Sequence, residues 1–304
     1  MIINQIQIQT TSVCNCRCIM CPYGESWMTT PEGTGYMTDD TYKKIIKEIK
    51  DEPTIFRGKF VPYLANEPFA DKNLLDRIEY AINELPRMNL YLSSNMGLLN
   101  EKKIDRLYEL YKKINFRGEF TISHHGINRE SVIETMKMNN YDICLENIIY
   151  FIKKFDGKLK IRIHSLFKSY DDEFDLFDRN EIDSYWDKII NKYSLPTKNL
   201  TNPKHQRIVS RGGNVKLLKV IDRDDDINRC VYVTRRWVHI LWNGDITLCC
   251  MSPYKHEATL GNINEDTFDN IFKSDKYREI VKNVIYLKNS PKDFICRRCE
   301  VRER

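Results

Sequence analysis

Apolar residues along the first two-thirds of the chain alternate between two periods. Short runs that are apolar throughout, or at every second position, recur at Gln5–Gln9, Phe60–Leu64, Leu90–Ser93, Glu119–Ser123 and Leu159–His164. In the first of these, Ile6 and Ile8 alternate with Gln5, Gln7 and Gln9, the period of a β-strand. Between the runs the apolar positions step by three and four. Thr38 is placed to cap a helix whose apolar face is Tyr42, Ile45, Ile46 and Ile49. Similar amphipathic stretches lie near Leu74–Leu85, Ile104–Leu110 and Leu145–Phe155. Alternating strands and helices predict an α/β fold, a parallel sheet with helices outside it. The stretch Leu195–Gln206, with Pro196 and Pro203, reads as a loop. Further on the pattern changes. Two β-like runs flank Asn243-Gly244, a strong hairpin turn. Two short helical stretches follow Gly261-Asn262, with caps expected at Asn264 and Ser274.

A chain of 304 residues, 41% hydrophobic, has material for one large domain and a smaller one. Its net charge of +5 is the balance of 48 basic and 43 acidic residues in short mixed runs, so nucleic acid is not indicated. The acidic run Asp222–Asp226 reads as a solvated linker. The N-terminus lacks the basic and apolar regions of a signal peptide, and no stretch approaches the roughly 20 apolar residues that span a bilayer. A cytoplasmic protein without a membrane partner is expected. In that reducing compartment its 10 cysteines are expected to be ligands or reactive thiols rather than disulfides.

Those cysteines fall into two sets. Cys14, Cys18 and Cys21 keep the spacing C-x3-C-x2-C, with Cys16 inside it. Three thiolates on a short loop can hold three irons of a [4Fe–4S] cubane and leave the fourth open to a ligand. Structural zinc needs four ligands, usually on paired knuckles, and fits this loop less well. Cys230, Cys249, Cys250, Cys296 and Cys299 occupy the last quarter. The hairpin brings Cys249 back toward Cys230, and Cys296-Arg-Arg-Cys299 is a C-x2-C knuckle. A closed four-thiolate site of this kind suits an iron–sulfur cluster or zinc. Cys250 competes with Cys249 as the fourth ligand.

The first loop, following a strand, resembles the signature loop of the radical S-adenosylmethionine (SAM) superfamily. Met20 stands where that family usually has an aromatic residue. Ala65-Asn66-Glu67-Pro68 at the next strand end resembles its G-G-E-P motif, with Ala65 and Asn66 in place of two glycines. Ser93-Ser94-Asn95 resembles its S-T-N turn, and Ser123 begins the run that corresponds to S-L-D-G. The resemblance implies a partial (β/α)6 TIM-like barrel, closed by a strand near Ile208–Val215 that holds Arg211-Gly212-Gly213-Asn214. It implies a SAM-cleaving cluster on Cys14, Cys18 and Cys21, and SAM contacts from Met20, Ala65, Asn66, Glu67, Ser94, Asn95 and Ser123. Chemistry at the C-terminal ends of strands is where such barrels place it. In the last quarter, C-x13-G-x4-C…C-x2-C resembles the SPASM/twitch auxiliary-cluster domain, a β-hairpin plus helix. The likeness implies a second [4Fe–4S] cluster on Cys230, Cys249, Cys296 and Cys299. With no cysteine beyond Cys299, the shorter twitch form is expected. The two domains are expected at 1–220 and 221–304.

Two reactions follow from the resemblance. A 5′-deoxyadenosyl radical takes a hydrogen from a substrate carbon, and the auxiliary cluster accepts a second electron, giving a two-electron oxidation. Alternatively, a thiol returns a hydrogen to the opposite face, as in radical epimerases, or a peptide is modified, as in maturases. Catalytic candidates are Cys144, Cys250, His124 and Arg211, with Cys16 as a further spare thiol and Tyr63 as a polar group at a strand end. One of His124 and His125 is expected to point away, since neighbours on a strand face opposite sides. A small-molecule or peptide substrate is implied, with a reductant such as flavodoxin or ferredoxin. With 13 residues before Cys14, a small or unfused substrate is favoured. The reading from another class is a non-catalytic iron–sulfur or zinc-binding protein, which leaves the ordered Glu67, Ser94 and Asn95 without a purpose.

Overall fold

A computed structural model describes residues 3–22, 33–51, 56–166, 177–206, 211, 214–215, 230–251, 254 and 258–299. Six parallel strands carry the barrel: β1 (Ile3–Ile8), β2 (Phe56–Val61), β3 (Asn89–Ser94), β4 (Gly118–Ser123), β5 (Lys160–Leu166) and β6 (Leu200–Gln206). Neighbours in sequence are neighbours in the sheet, as right-handed β-α-β crossovers produce. The crossovers run through α1 (Asp39–Asp51), α2 (Leu74–Glu84), α3 (Glu101–Lys113), α4 (Arg129–Met136), α5 (Tyr141–Phe155) and α6 (Arg179–Tyr193). Each strand turns its apolar set toward these helices. Ile6, Ile8, Phe60, Leu90, Phe120, Ile122, Ile161 and Ile163 are buried against Tyr42, Ile45, Ile78, Leu107 and Phe151. The opposite set, Gln7, Ser93, Thr121, Ser123 and His164, faces the lumen.

Local sequence explains the starts of these helices. Thr38 caps α1 as expected, its Oγ1 accepting from Thr41 N at 3.1 Å. Two helices that periodicity alone does not announce, α4 and α6, begin at capping boxes formed by Asn128 with Ser131 and Asp178 with Glu181.

The closing strand departs from expectation. Leu200–Gln206 lies in the segment read as a loop, and it forms β6, paired to β5. Pro203 is tolerated there because β6 is an edge strand and the register slips between Arg162 and His164, opposite the proline. Arg211 and Asn214 sit in turns, where a strand over Ile208–Val215 was expected; the rest of that stretch, apart from Val215, lies outside the described residues, as does Asp222–Asp226.

The C-terminal segment joins the same sheet. After the short α7 (Val231–Thr234), β7 (Trp237–Ile240) pairs parallel to β1, and β8 (Asp245–Thr247) and β9 (Thr259–Asn262) follow antiparallel. The hairpin therefore has a third strand and extends the barrel wall. Its turn needs Gly244, whose φ is +93° and whose Cβ would stand 2.4 Å from Asn264 Nδ2. Asn264 is not the expected helix cap. Its amide instead ties the turn down, donating to Asn243 O (3.0 Å) and accepting from Thr41 Oγ1 (2.7 Å). Thr267 caps α8 (Phe268–Lys273), and Ser274 caps α9 (Asp275–Ile285) as expected. Among the described residues no helix is long and apolar enough to cross a membrane.

Candidate active site

The loops at the C-terminal ends of β1 to β5 enclose a cavity of about 350 Å³. The cysteine loop forms one wall. Thr11 fixes its entry, donating to Gly35 O (3.0 Å) and accepting from Val13 N (3.1 Å). Arg17 folds it on itself, Nη1 donating to the carbonyls of Cys14 and Cys16 at 3.0 and 2.9 Å. Two backbone bonds, Arg17 N to Met136 O and Ile19 N to Thr135 O, dock it on the end of α4. Cys14, Cys16, Cys18 and Cys21 all line the cavity. Contact with the Cys16 thiol and burial push the Cys14 thiol up.

Glu67 stands at the end of β2 and is 2% exposed. Its Oε1 accepts from Ser94 Oγ (2.8 Å) and Phe69 N (3.2 Å), and its Oε2 from Asn95 N (2.8 Å). Despite those three donors, burial pushes its carboxyl up to about 7. Asn95 Nδ2 donates to Asn15 Oδ1 at 2.8 Å, which binds the end of β3 to the cysteine loop. Asn66 accepts from Leu64 N (2.9 Å), while its buried Nδ2 has no partner among the described residues. Met20, Ala65, Asn66, Ser94 and Ser123 line the same cavity, and Ser123 Oγ lies 3.2 Å from Ser93 Oγ.

The structure separates the catalytic candidates. Cys250 and Arg211 line the cavity, as does Tyr63, and Cys250 Sγ donates to Tyr232 Oη at 3.3 Å. Cys144 does not. It is buried behind the cysteine loop against Cys16, Val132, Met136 and Tyr141. His124 also turns away, stacking on Tyr185 with Nε2 3.1 Å from its hydroxyl, whereas its neighbour His125 lines the cavity. Sequence reasoning missed Gln7, Thr121 and His164 as cavity residues. The period of β1, β4 and β5 carries that signal, because apolar neighbours facing the helices turn these residues inward.

A second group of thiols forms at the other end of the sheet. Cys230 precedes α7, Cys249 follows β8, and Cys296 and Cys299 sit on the final 3-10 turn. Burial first, then the proximity of Cys249, Cys299 and Cys230, pushes the Cys296 thiol well up, so the four share one neighbourhood. Cys249 faces this group and Cys250 the cavity, as alternate residues of an extended segment do. Among the described residues no three His, Cys, Asp or Glu side chains are set around a single metal ion. A cubane places each thiolate on a different iron, so its ligands stand further apart than those of one ion. Three thiols on the cavity loop and four gathered by the hairpin and the final turn are the donors an iron–sulfur cluster takes, and Glu67 with the Asn66 amide fits an ammonium and a carboxylate.

Comparison with known proteins defines the class. Residues 8–179 match the model of the radical SAM superfamily, more than half of the chain, and the protein belongs to that superfamily. Residues 230–300 match the SPASM iron–sulfur cluster-binding domain. The protein is thus a radical SAM enzyme with an auxiliary SPASM domain, and [4Fe–4S] clusters and SAM are its cofactors. The fold is similar to that of BtrN in complex with AdoMet and 2-DOIA, with a TM-score of 0.58, 17% identity, and coverage of 95% of this chain and 93% of that one. It is also similar to native anSMEcpe with bound AdoMet, with a TM-score of 0.58, 13% identity, and coverage of 93% and 84%. A further anSMEcpe structure, with bound AdoMet and the Kp18Cys peptide, aligns at a TM-score of 0.58 over 99% of this chain and 93% of that one, at 13% identity. No curated protein matches the chain.

Proposed function

We propose that the enzyme oxidises a substrate carbon by two electrons, starting from hydrogen abstraction in the barrel cavity. The convergence of Cys14, Cys18, Cys21, Glu67, Ser94 and Asn95 on one cavity supports hydrogen abstraction there, and the second thiol group of Cys230, Cys249, Cys296 and Cys299 supports an acceptor for the second electron. When bound, the clusters and SAM supply a 5′-deoxyadenosyl radical and an acceptor for the second electron. The chain's own residues then have definite tasks. Cys14, Cys18 and Cys21 hold the SAM-cleaving cluster, and Cys230, Cys249, Cys296 and Cys299 hold the auxiliary one. Glu67 takes the SAM ammonium, with Asn66 and the Ala65 turn beside it. Ser94 and Asn95 serve the ribose, Ser123 is a further SAM contact, and Met20 packs on the adenine. Buried among backbone donors, Glu67 is held rigid at the cavity wall, an arrangement that an incoming ammonium completes. We assign the barrel to 1–220 and the auxiliary domain to 221–304. A reductant such as flavodoxin or ferredoxin supplies the first electron. The substrate is a small molecule, or else a peptide of the kind bound in the anSMEcpe structure.

A second reading is epimerisation, favoured by Cys250. Its thiol lines the cavity, held at 3.3 Å from Tyr232 Oη, where a hydrogen donor to a substrate radical would stand. Anaerobic reduction in the presence of SAM tests the shared core of both readings. 5′-Deoxyadenosine release is expected, and its absence with both clusters loaded refutes hydrogen abstraction.

A further inference from the structure

Besides Asn66 Nδ2, two buried polar atoms lining the cavity have no hydrogen-bond partner among the described residues: Gln7 Oε1 and His125 Nδ1. Both residues line the cavity and are 8% exposed. A buried acceptor left unpaired costs about 1–3 kcal/mol, so such atoms mark where a ligand's hydrogens belong. They come from different walls. Gln7 lies on β1, in register with Val61 of β2 and His239 of β7. His125 follows β4, next to Met136 and near His164 on β5. Neither is needed for the contacts assigned above to SAM.

The surface between them is hydrogen-bonding but almost free of charge. Tyr63, Thr121 and His164 contribute to it, and burial keeps the His125 imidazole neutral, pushed down to about 3. Among the described lining residues Glu67 is the one carboxylate, and it already accepts from Ser94, Asn95 and Phe69. Arg211 is the one guanidinium.

We propose that Gln7 and His125 form a substrate subsite for a hydroxyl-bearing molecule without positive charge, one of whose hydroxyls donates to Gln7 Oε1. The proposal rests on the reading of this cavity as the radical site and names its substrate class. A hydroxyl donates and accepts at once, so it satisfies Gln7 Oε1, a neutral imidazole and the wall hydroxyls together. An apolar side chain leaves Gln7 Oε1 unpaired. Among the described lining residues an ammonium group meets no carboxylate beyond the one that serves SAM.

Calorimetric titration of the anaerobically reconstituted, SAM-loaded chain with D-glucose, D-glucosamine and a neutral tripeptide tests this. Glucose is expected to bind and glucosamine to bind about tenfold more weakly. Gln7→Leu, which removes the acceptor at similar volume, should weaken glucose about tenfold. Gln7→Glu should reverse the preference toward glucosamine, and it covers the case in which the leucine variant fails to fold. Absence of glucose binding, equal or tighter glucosamine binding, binding of the tripeptide in place of glucose, or no change in either variant overturns the subsite. A loss of SAM affinity in Gln7→Leu assigns Gln7 to the cofactor and overturns it too. SAM titrated into the wild type alone reads the underlying assignment separately, so failure of the one is distinguishable from failure of the other.

Discussion

Glu67 offers a test with two independent magnitudes. Its carboxylate is 2% exposed, and each oxygen accepts from a backbone N–H, Phe69 on Oε1 and Asn95 on Oε2. In Glu67→Gln the amide nitrogen meets one of those fixed donors whichever way it is turned. The mismatch should cost about 1–3 kcal/mol of stability, seen as a lower urea midpoint. The cofactor loses more than a hydrogen bond. A charge-assisted contact to the SAM ammonium is worth about 1.5–3 kcal/mol, a rise in Kd of about tenfold to a hundredfold. The pH dependence has a definite sign. Burial raises this acid from its ordinary 4.5 to about 7, so without SAM the native state favours the neutral carboxyl. That preference stabilises the protein fully below pH 4.5 and is lost as pH rises to about 7, an amount of about 3 kcal/mol at 1.36 kcal/mol per unit. SAM binds the ionised form, so wild-type affinity should climb as pH rises toward 7 and then level. In Glu67→Gln the affinity should be weak and flat across the same range. Calorimetric titration of SAM into reconstituted protein between pH 5.5 and 7.5 measures both. Wild-type-like affinity in Glu67→Gln, or a flat wild-type profile, would refute the role given to Glu67 as the amine site.

The remaining predictions are simpler. Anaerobic reconstitution should give about eight irons per chain from two cubanes, and changing Cys14, Cys18 and Cys21 together to Ala should halve that; four irons with one zinc in the wild type would remove the auxiliary cluster. Cys249→Ala should lower iron content while Cys250→Ala leaves it intact, and the reverse pattern would exchange their roles. If the reaction is an oxidation, Cys250→Ala should still form product, whereas solvent deuterium at the reacting carbon, with product mass otherwise unchanged, would establish epimerisation instead. Gly118→Ala should cost about 3 kcal/mol, because Gly118 has φ +127° and an added Cβ would lie 1.8 Å from Leu90 O in the adjoining strand; an unchanged urea midpoint would refute the strain.

How much of this was legible before folding depends on the kind of information each feature carries. The alternation of period-two runs with three-and-four steps announces β1 to β5 and most of their helices, because burial of one face is a local property of sequence. The C-x3-C-x2-C loop and the final C-x2-C knuckle announce iron–sulfur chemistry, because a cluster constrains ligands that are close along the chain. The Asn243-Gly244 turn is legible for the same reason. Where propensity and context conflict, sequence misleads. Pro203 reads as a loop residue, yet the edge of a sheet with a slipped register accepts it in β6. Asn264 reads as a cap, yet its side chain is used across the fold to hold the hairpin turn against α1.

Orientation and convergence are decided only in three dimensions. Sequence places His124 with His125 and Cys249 with Cys250; packing sends His125 and Cys250 to the cavity, His124 to Tyr185 and Cys249 to the other thiols. Cys144, equal to the other spare thiols on the page, is withdrawn by burial behind the cysteine loop. The pairing of β7 with β1, which makes the auxiliary segment part of the barrel wall, joins residues more than two hundred positions apart. Short-range patterns settle what each segment becomes, because their energetics involve neighbouring residues. Which side chains meet at a site depends on long-range contacts whose cost and gain exist only once the whole sheet has closed.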